Sequence, residues 1–321
     1  MSDKYIYDFE ESLSDLQKRI DELKFTSMKT GVDVTLKLND LKEELKKKSI
    51  DIYNNLDRWQ RVQIARHPDR PHAVDYIDMI TSYWFELHGD RNYADDKSIV
   101  SGLAQIEDHR VVIIAHEKGR GTKDKVFRNF GMPRPEGYRK ALRIMKLAEK
   151  YGFPIITLID TPGAYPGVGA EERGQAQAIA NNLLEMASIK VPIISIVIGE
   201  GASGGALAIG LSDEILCMEN TWYSVISPEG CASILYRDSS MNKEAADAMK
   251  VTSLDLNEMG IADEIIKEPL GGAHHDYDES AQNLKQSIIQ SLLRLRGYSS
   301  NELIKRRSFK FEKIGSWIAD E

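Results

Sequence analysis

Residues 193–210 read IISIVIGEGASGGALAIG: a short β-branched apolar run, a glycine-rich turn, then small residues at helical spacing. An apolar run of that length is expected of a strand covered on both faces, and the change to ALAIG predicts a helix starting near Gly205 or Ala206. The same design stands upstream, where IITLID at 155–160 runs into TPGAYPGVGAEERG at 161–174, and a third apolar run, VVIIA, occupies 111–115. Between these runs, Tyr138, Ala141, Leu142, Met145 and Ala148 share one helical face, and Ile179, Ala180, Leu183, Leu184 and Ala187 share another. Strand, helix and strand therefore alternate, which is an α/β domain. Periodicity alone leaves a doubly wound sheet and a spiral of such units both open.

Outward from this centre, residues 1–55 read as a helical hairpin, with Leu13, Leu16, Ile20 and Leu23 in one helix and Leu38, Leu41 and Leu45 in the next, separated by Gly31. The compact domain is expected over 56–321, beginning with an Arg/His-rich connector and ending in a helix carrying Leu284, Ile288, Leu292 and Leu295, followed by the basic segment KRRSFKFEK. The stretch 116–140, HEKGRGTKDKVFRNFGMPRPEGYRK, reads as a basic glycine-rich loop. With 42 basic and 50 acidic residues the formal charge is −8, which argues against a nucleic-acid or anionic-membrane partner recruited by overall charge. Cys217 and Cys231 are the only cysteines and have no zinc-site spacing, so neither a disulfide framework nor a Cys-rich metal centre is expected. No apolar run is long enough for a membrane span and the first residues lack a leader's apolar core, so a cytoplasmic protein is expected.

A strand, glycine turn and helix start present unpaired backbone N–H groups to an anion. Three guests fit GEGASGGALAIG. Gly199, Gly201 and Gly204 satisfy the GxGxxG spacing of a dinucleotide site, but the acidic residue expected about 20 positions on has only a loose candidate in Glu219. Gly201 to Gly205 also satisfy GxSxG, with Ser203 as nucleophile and Asp255 or Asp263 with His274 or His275 as partners, which is a serine hydrolase reading. The third guest is a developing oxyanion, held by Gly204 and Gly205. A tight turn with no ligand is the plain structural alternative. Downstream, Ser227, Pro228, Glu229 and Gly230 form SPEG, in which proline suits a first helical turn and glutamate its positive end.

RNFGMPRPEGYRKAL at 128–142, IDTPGAYPGVGAEERGQ at 159–175, VIGEGASGGALAIG at 197–210, YSVISPEGCASIL at 223–235 and EPLGGAH at 268–274 together resemble, in order, the signature segments of the carboxyltransferase alpha subunit of bacterial acetyl-CoA carboxylase. The resemblance covers nearly the whole chain. It implies a crotonase-like spiral of ββα units with an N-terminal helical extension. It also implies transfer of the carboxyl group of carboxybiotin, a co-substrate on the biotin carboxyl carrier protein, to acetyl-CoA, forming malonyl-CoA for fatty acid biosynthesis. Another crotonase-family acyl-CoA enzyme is the near alternative. The implied partners are a beta subunit, in an α₂β₂ heterotetramer, and biotin carboxylase in the ATP-using holoenzyme. No metal is implied in this chain, zinc being expected only in the beta subunit. Gly204 and Gly205 would hold the biotin ureido oxygen, with Gly163, Ala164, Gly201, Ala202, Ser203 and Ser227 to Gly230 lining the carboxybiotin side. Ala202 stands where the family's loop often has glycine, which predicts a stiffer turn.

Overall fold

The computed structural model describes residues 5–315. Helices α1 (Glu11–Thr30) and α2 (Thr35–Asn54) form the N-terminal hairpin, turned at Gly31, whose φ of 70° closes α1 in the left-handed region. Only Leu16 and Ile20 of α1 are buried, and α2 buries nothing. Short helices α3 (Arg58–Ala65) and α4 (Ala73–Ile80) lead into strands β1 (Tyr83–Glu86), β2 (Ile99–Ile106) and β3 (His109–His116). The 116–140 stretch is not a loop: it contains α5 (Gly121–Phe127) and the start of α6 (Pro135–Tyr151), with Pro135 in the first turn. Next come β4 (Ile155–Thr161), α7 (Val168–Glu172), α8 (Gln175–Ser188), β5 (Ile193–Ala202) and α9 (Ser203–Leu207). The chain continues through β6 (Glu214–Met218), β7 (Trp222–Ser224), α10 (Pro228–Leu235), α11 (Asn242–Met249), α12 (Ser253–Glu258), β8 (Glu264–Ile266), α13 (Tyr277–Leu295) and α14 (Ser300–Glu312).

One sheet takes all eight strands, in the order β1-β2-β3-β4-β5-β6-β8, with β7 on β5. The first three strands pair antiparallel and the rest parallel. Successive side chains of a strand point to opposite faces, so the apolar runs fill two cores. Ile156, Leu158, Ile194 and Ile196 pack with α4 and α13, including Leu284, Ile288, Leu292 and Leu295. Ile155, Ile159, Ile193 and Val197 pack with α6 and α8 on the other face. Helix α6 buries Tyr138, Ala141, Met145 and Ala148 as expected, but Ile144 takes the place given to Leu142. In α8 the buried face is Gln175, Ala178, Asn182 and Met186, whereas Leu184 is 73% exposed. The polar pair lies inward because Gln175 Nε2 donates to the Pro133 and Tyr165 carbonyls and Asn182 Nδ2 to the Ala208 carbonyl.

Strand β5 changes neighbours part-way. Ile194 to Val197 pair with β6, and Glu200 to Ala202 pair with Trp222 to Ser224 of β7. On its other edge Ile159 faces Val197 and Thr161 faces Gly201, so Asp160 alone opposes Ile198, Gly199 and Glu200. Such a bulge bends a strand and re-aims the residues beyond it. Here it turns the end of β5 from β6 to β7 and delivers the start of α9.

Candidate active site

The expected helix start near Gly205 moves back to Ser203, because GEGA stays extended as the last part of β5. Ala202 is buried with φ −108° and ψ 132°, ordinary extended backbone. Alanine therefore costs nothing there, and the expected stiffening of the turn has no basis. The strained residue is Ser203, with φ 59°, a conformation that costs a non-glycine residue about 1–3 kcal/mol.

The first N–H groups of a helix have no partner within it, which leaves those of Gly204 and Gly205 available. The two glycines differ in surroundings. A Cβ added at Gly205 would lie 2.5 Å from both the Gly163 carbonyl carbon and the Ala164 nitrogen, whereas one added at Gly204 would meet only Ile179, at 3.6 Å. Loop 161–165 is thus packed directly on the start of α9. Gly163, at φ 140°, adopts a conformation reserved for glycine, and its N–H donates to Thr161 Oγ1 at 3.0 Å. The next N–H, that of Ala164, has no hydrogen-bond partner among the described residues. Two loops from neighbouring strands therefore bring unengaged backbone donors to one corner. Gly201 lies inside β5 with its Cα against the Tyr223 ring. The SPEG segment starts α10: Ser227 Oγ caps it by accepting from Gly230 N at 3.2 Å, with Pro228 in the first turn. Glu229 pairs with Arg66, which also pairs with Glu200 of β5.

Behind the corner lies an ionic network that the motifs did not single out. Lys118 Nζ contacts Asp160 Oδ1 at 2.6 Å and Glu200 Oε1 at 2.7 Å, and Arg66 Nε contacts Glu200 Oε2 at 2.6 Å. Asp160 Oδ1 also accepts from Glu200 N at 2.9 Å. Burial pulls the Lys118 ammonium down, but Asp160 and Glu200 outweigh it and hold it above the ordinary lysine value. Burial likewise pushes the Glu200 carboxyl up, and Lys118 and Arg66 reverse that, keeping it ionised. These groups, with Arg70 and Phe130, line a cavity of about 200 Å³ at the strand ends. The available signal was the acid ending IITLID and the acid inside GEGA, charges placed where an apolar strand leaves the core.

The groups nominated for a serine hydrolase do not assemble. Asp255 is held by Arg58, at 2.7 Å, and by Thr252 Oγ1, at 2.6 Å. Asp263 accepts from Ile215 N and contacts Lys310. His274 stacks on His67 with ring centroids 3.7 Å apart, and His275 lies beside Tyr53. The Ser203 hydroxyl has no hydrogen-bond partner among the described residues, so no base activates it. Glu219, the loose dinucleotide candidate, is paired with Lys267. Cys217 and Cys231 are buried free thiols.

The sequence matches the model of the acetyl co-enzyme A carboxylase carboxyltransferase-like family over residues 6–315. The acetyl-coenzyme A carboxylase carboxyl transferase subunit alpha of Oceanobacillus iheyensis is 52% identical over 98% of this chain and 99% of its own. That of Dichelobacter nodosus is 51% identical over the full length of both chains. The chain belongs to the carboxyltransferase alpha-subunit family. Among solved structures, the transcarboxylase 12S core superposes with a TM-score of 0.58 at 20% identity, covering 71% of this chain and 42% of that one. The Pseudomonas malonate decarboxylase MdcD-MdcE hetero-dimer gives a TM-score of 0.55 at 14% identity, over 67% of this chain and 88% of that one. At these identities the likeness establishes the fold, which is crotonase-like, and so resolves the sheet that periodicity left open. No helix among the described residues of this carboxyltransferase subunit is long and apolar enough to cross a membrane.

Proposed function

We propose that this chain is the carboxybiotin-binding half of a two-chain carboxyltransferase, which moves the carboxyl group of carboxybiotin on a biotin carboxyl carrier protein to the methyl carbon of acetyl-CoA. The observation that carries this reading is the corner where α9 begins against loop 161–165, with the Gly204, Gly205 and Ala164 N–H groups unengaged among the described residues. As the bond between the ureido nitrogen and the carboxyl carbon breaks, negative charge grows on the ureido oxygen. Donors fixed beforehand at that position stabilise the charge without reorganising, and each is worth about 10²–10³ in rate. The carboxyl carbon bonds to the methyl carbon of acetyl-CoA, the methyl proton passes to the ureido nitrogen, and the products are biotin and malonyl-CoA. No side-chain acid or base of this chain takes part. Gly163, Gly201, Ala202 and Ser203 shape the corner, and Ser227 to Gly230 are assigned to the carboxybiotin side, tied to β5 through the Glu229–Arg66–Glu200 pairs.

A second chain supplies the acetyl-CoA side in an α₂β₂ assembly and carries the zinc ribbon, and biotin carboxylase recharges the carrier in the cytoplasm. Mixing this chain with that beta subunit, carboxybiotinyl carrier and acetyl-CoA yields malonyl-CoA only when both chains are present. Turnover by this chain alone contradicts the half-site, and labelling of Ser203 by a fluorophosphonate restores the hydrolase reading.

A further inference from the structure

Among the described residues, Lys118 forms ion pairs with both of the strands that end in donor loops. Its ammonium contacts Asp160, the penultimate residue of β4, and Glu200, near the end of β5. Beyond Asp160 comes the loop with the Ala164 N–H, and beyond Glu200 comes α9 with the Gly204 and Gly205 N–H groups. Arg66 by contrast bridges Glu200 to Glu229 and leaves β4 untouched. The Lys118 stem is itself fixed from the far side. Gly131, at φ 74°, packs so closely that a Cβ there would lie 2.7 Å from Lys118 Cγ, and the Gly131 carbonyl accepts from Thr161 Oγ1 at 2.6 Å. The same hydroxyl accepts from Gly163 N. One chain of contacts therefore runs from the ammonium through both strand ends and back to loop 161–165.

We infer that Lys118 is a positioning residue for the transfer reaction, setting the distance between the two donor loops by clamping Asp160 and Glu200. The bulge gives this clamp its place. Where Asp160 alone opposes Ile198, Gly199 and Glu200, the regular ladder that would fix the spacing of β4 and β5 is interrupted. The ion pair, beside the Glu200 N–H that donates to Asp160 Oδ1, bridges the strands at the point where register is lost. Buried ion pairs are a poor source of stability, since apolar side chains of similar size often serve as well or better. A requirement for one arrangement accounts for a charged group here better than folding energy does. The inference rests on the reading of α9 as the oxyanion corner.

The test uses the reconstituted two-chain complex, assayed with carboxybiotinyl carrier and acetyl-CoA, and the variants Lys118→Ala, Lys118→Arg, Asp160→Asn and Gly205→Val. Folded Lys118→Ala, verified by circular dichroism, loses about 10²-fold in kcat, the scale of one misplaced donor, while KM for acetyl-CoA stays within about twofold of the parent. Ethylammonium in the assay restores at least a tenth of the lost rate, because a cation in the gap can bridge the same carboxylates. Lys118→Arg, whose added bulk can enter the adjoining cavity, keeps most of the parent kcat. Parental kcat in Lys118→Ala, or a loss that neither ethylammonium nor arginine relieves, overturns the inference. Should Lys118→Ala not fold, Asp160→Asn decides: it keeps the shape but weakens the β4 contact, and an unchanged kcat overturns the clamp. Gly205→Val separates the two readings. It must be inactive if the corner is the site, and activity there overturns the corner whatever Lys118 does.

Discussion

Gly204 and Gly205 stand side by side at the start of α9, and their surroundings rank them. Gly204 faces only Ile179 at ordinary contact distance. Gly204→Ala therefore keeps kcat within a few-fold of the parent in the reconstituted complex, and a loss comparable with that of a missing donor, about 10²-fold, contradicts this ranking. Ser203 holds a positive φ while its hydroxyl bonds to nothing described. Ser203→Gly relieves that strain and stabilises the chain by about 1 kcal/mol, read as a higher Tm; an unchanged or lower Tm refutes the strain. The sequence motif locates these residues because glycine spacing records backbone demands directly. It does not rank them, since the ranking depends on a loop that arrives from another strand.

At the scale of elements, the three apolar runs legible in the sequence are β3, β4 and β5, while β2 and β6, also largely buried, are not marked by such a run. Strands β7 and β8 have three residues each and β1 is a half-exposed edge, so none of them carries an apolar run that marks it. Helix α8 is misread for a different reason: its inward Gln175 and Asn182 satisfy carbonyls, a role that hydrophobic periodicity scores as surface. The basic segment at 305–313 hides a similar case. Arg307 of α14 is 1% exposed and donates to the Met186 and Ile189 carbonyls at 2.7 and 2.8 Å while pairing with Asp213 at 2.7 Å. Arg307→Met strips Asp213 of its cation and those carbonyls of the guanidinium donor, leaving Asp213 only the Ile193 N–H, and costs about 3–5 kcal/mol, seen as a lower urea midpoint at constant m. An unchanged midpoint contradicts the structural role.

For the whole molecule, buried ionisable groups set the response to acid. Burial pulls the His116 imidazole down to about 3 and that of His67 below its ordinary 6.5. A group whose folded pKa is depressed binds protons more readily when unfolded, so its contribution is complete above pH 6.5 and declines as pH falls toward the folded value. The carboxyls of Glu117, Glu200 and Glu268 are held below 4.5, since His72, Lys118 with Arg66, and Arg70 respectively outweigh the effect of burial. Their contribution persists through neutral pH and is lost below 4.5. Tm accordingly slopes down gently from pH 6.5 and more steeply under 4.5, and His116→Asn flattens the upper part; a variant with the parent's slope there contradicts the neutral buried ring.

The assembly-level claim is that backbone donors, not a side-chain nucleophile, make this chain half of a carboxyl-transfer site. The most direct measurement is kcat for malonyl-CoA formation by the two-chain complex, comparing Gly205→Ala with Ser203→Ala. Gly205→Ala, whose Cβ must push into the Gly163–Ala164 backbone, loses about 10²-fold or more, and Ser203→Ala keeps near-parental turnover. An inactive Ser203→Ala beside a fully active Gly205→Ala would contradict that claim.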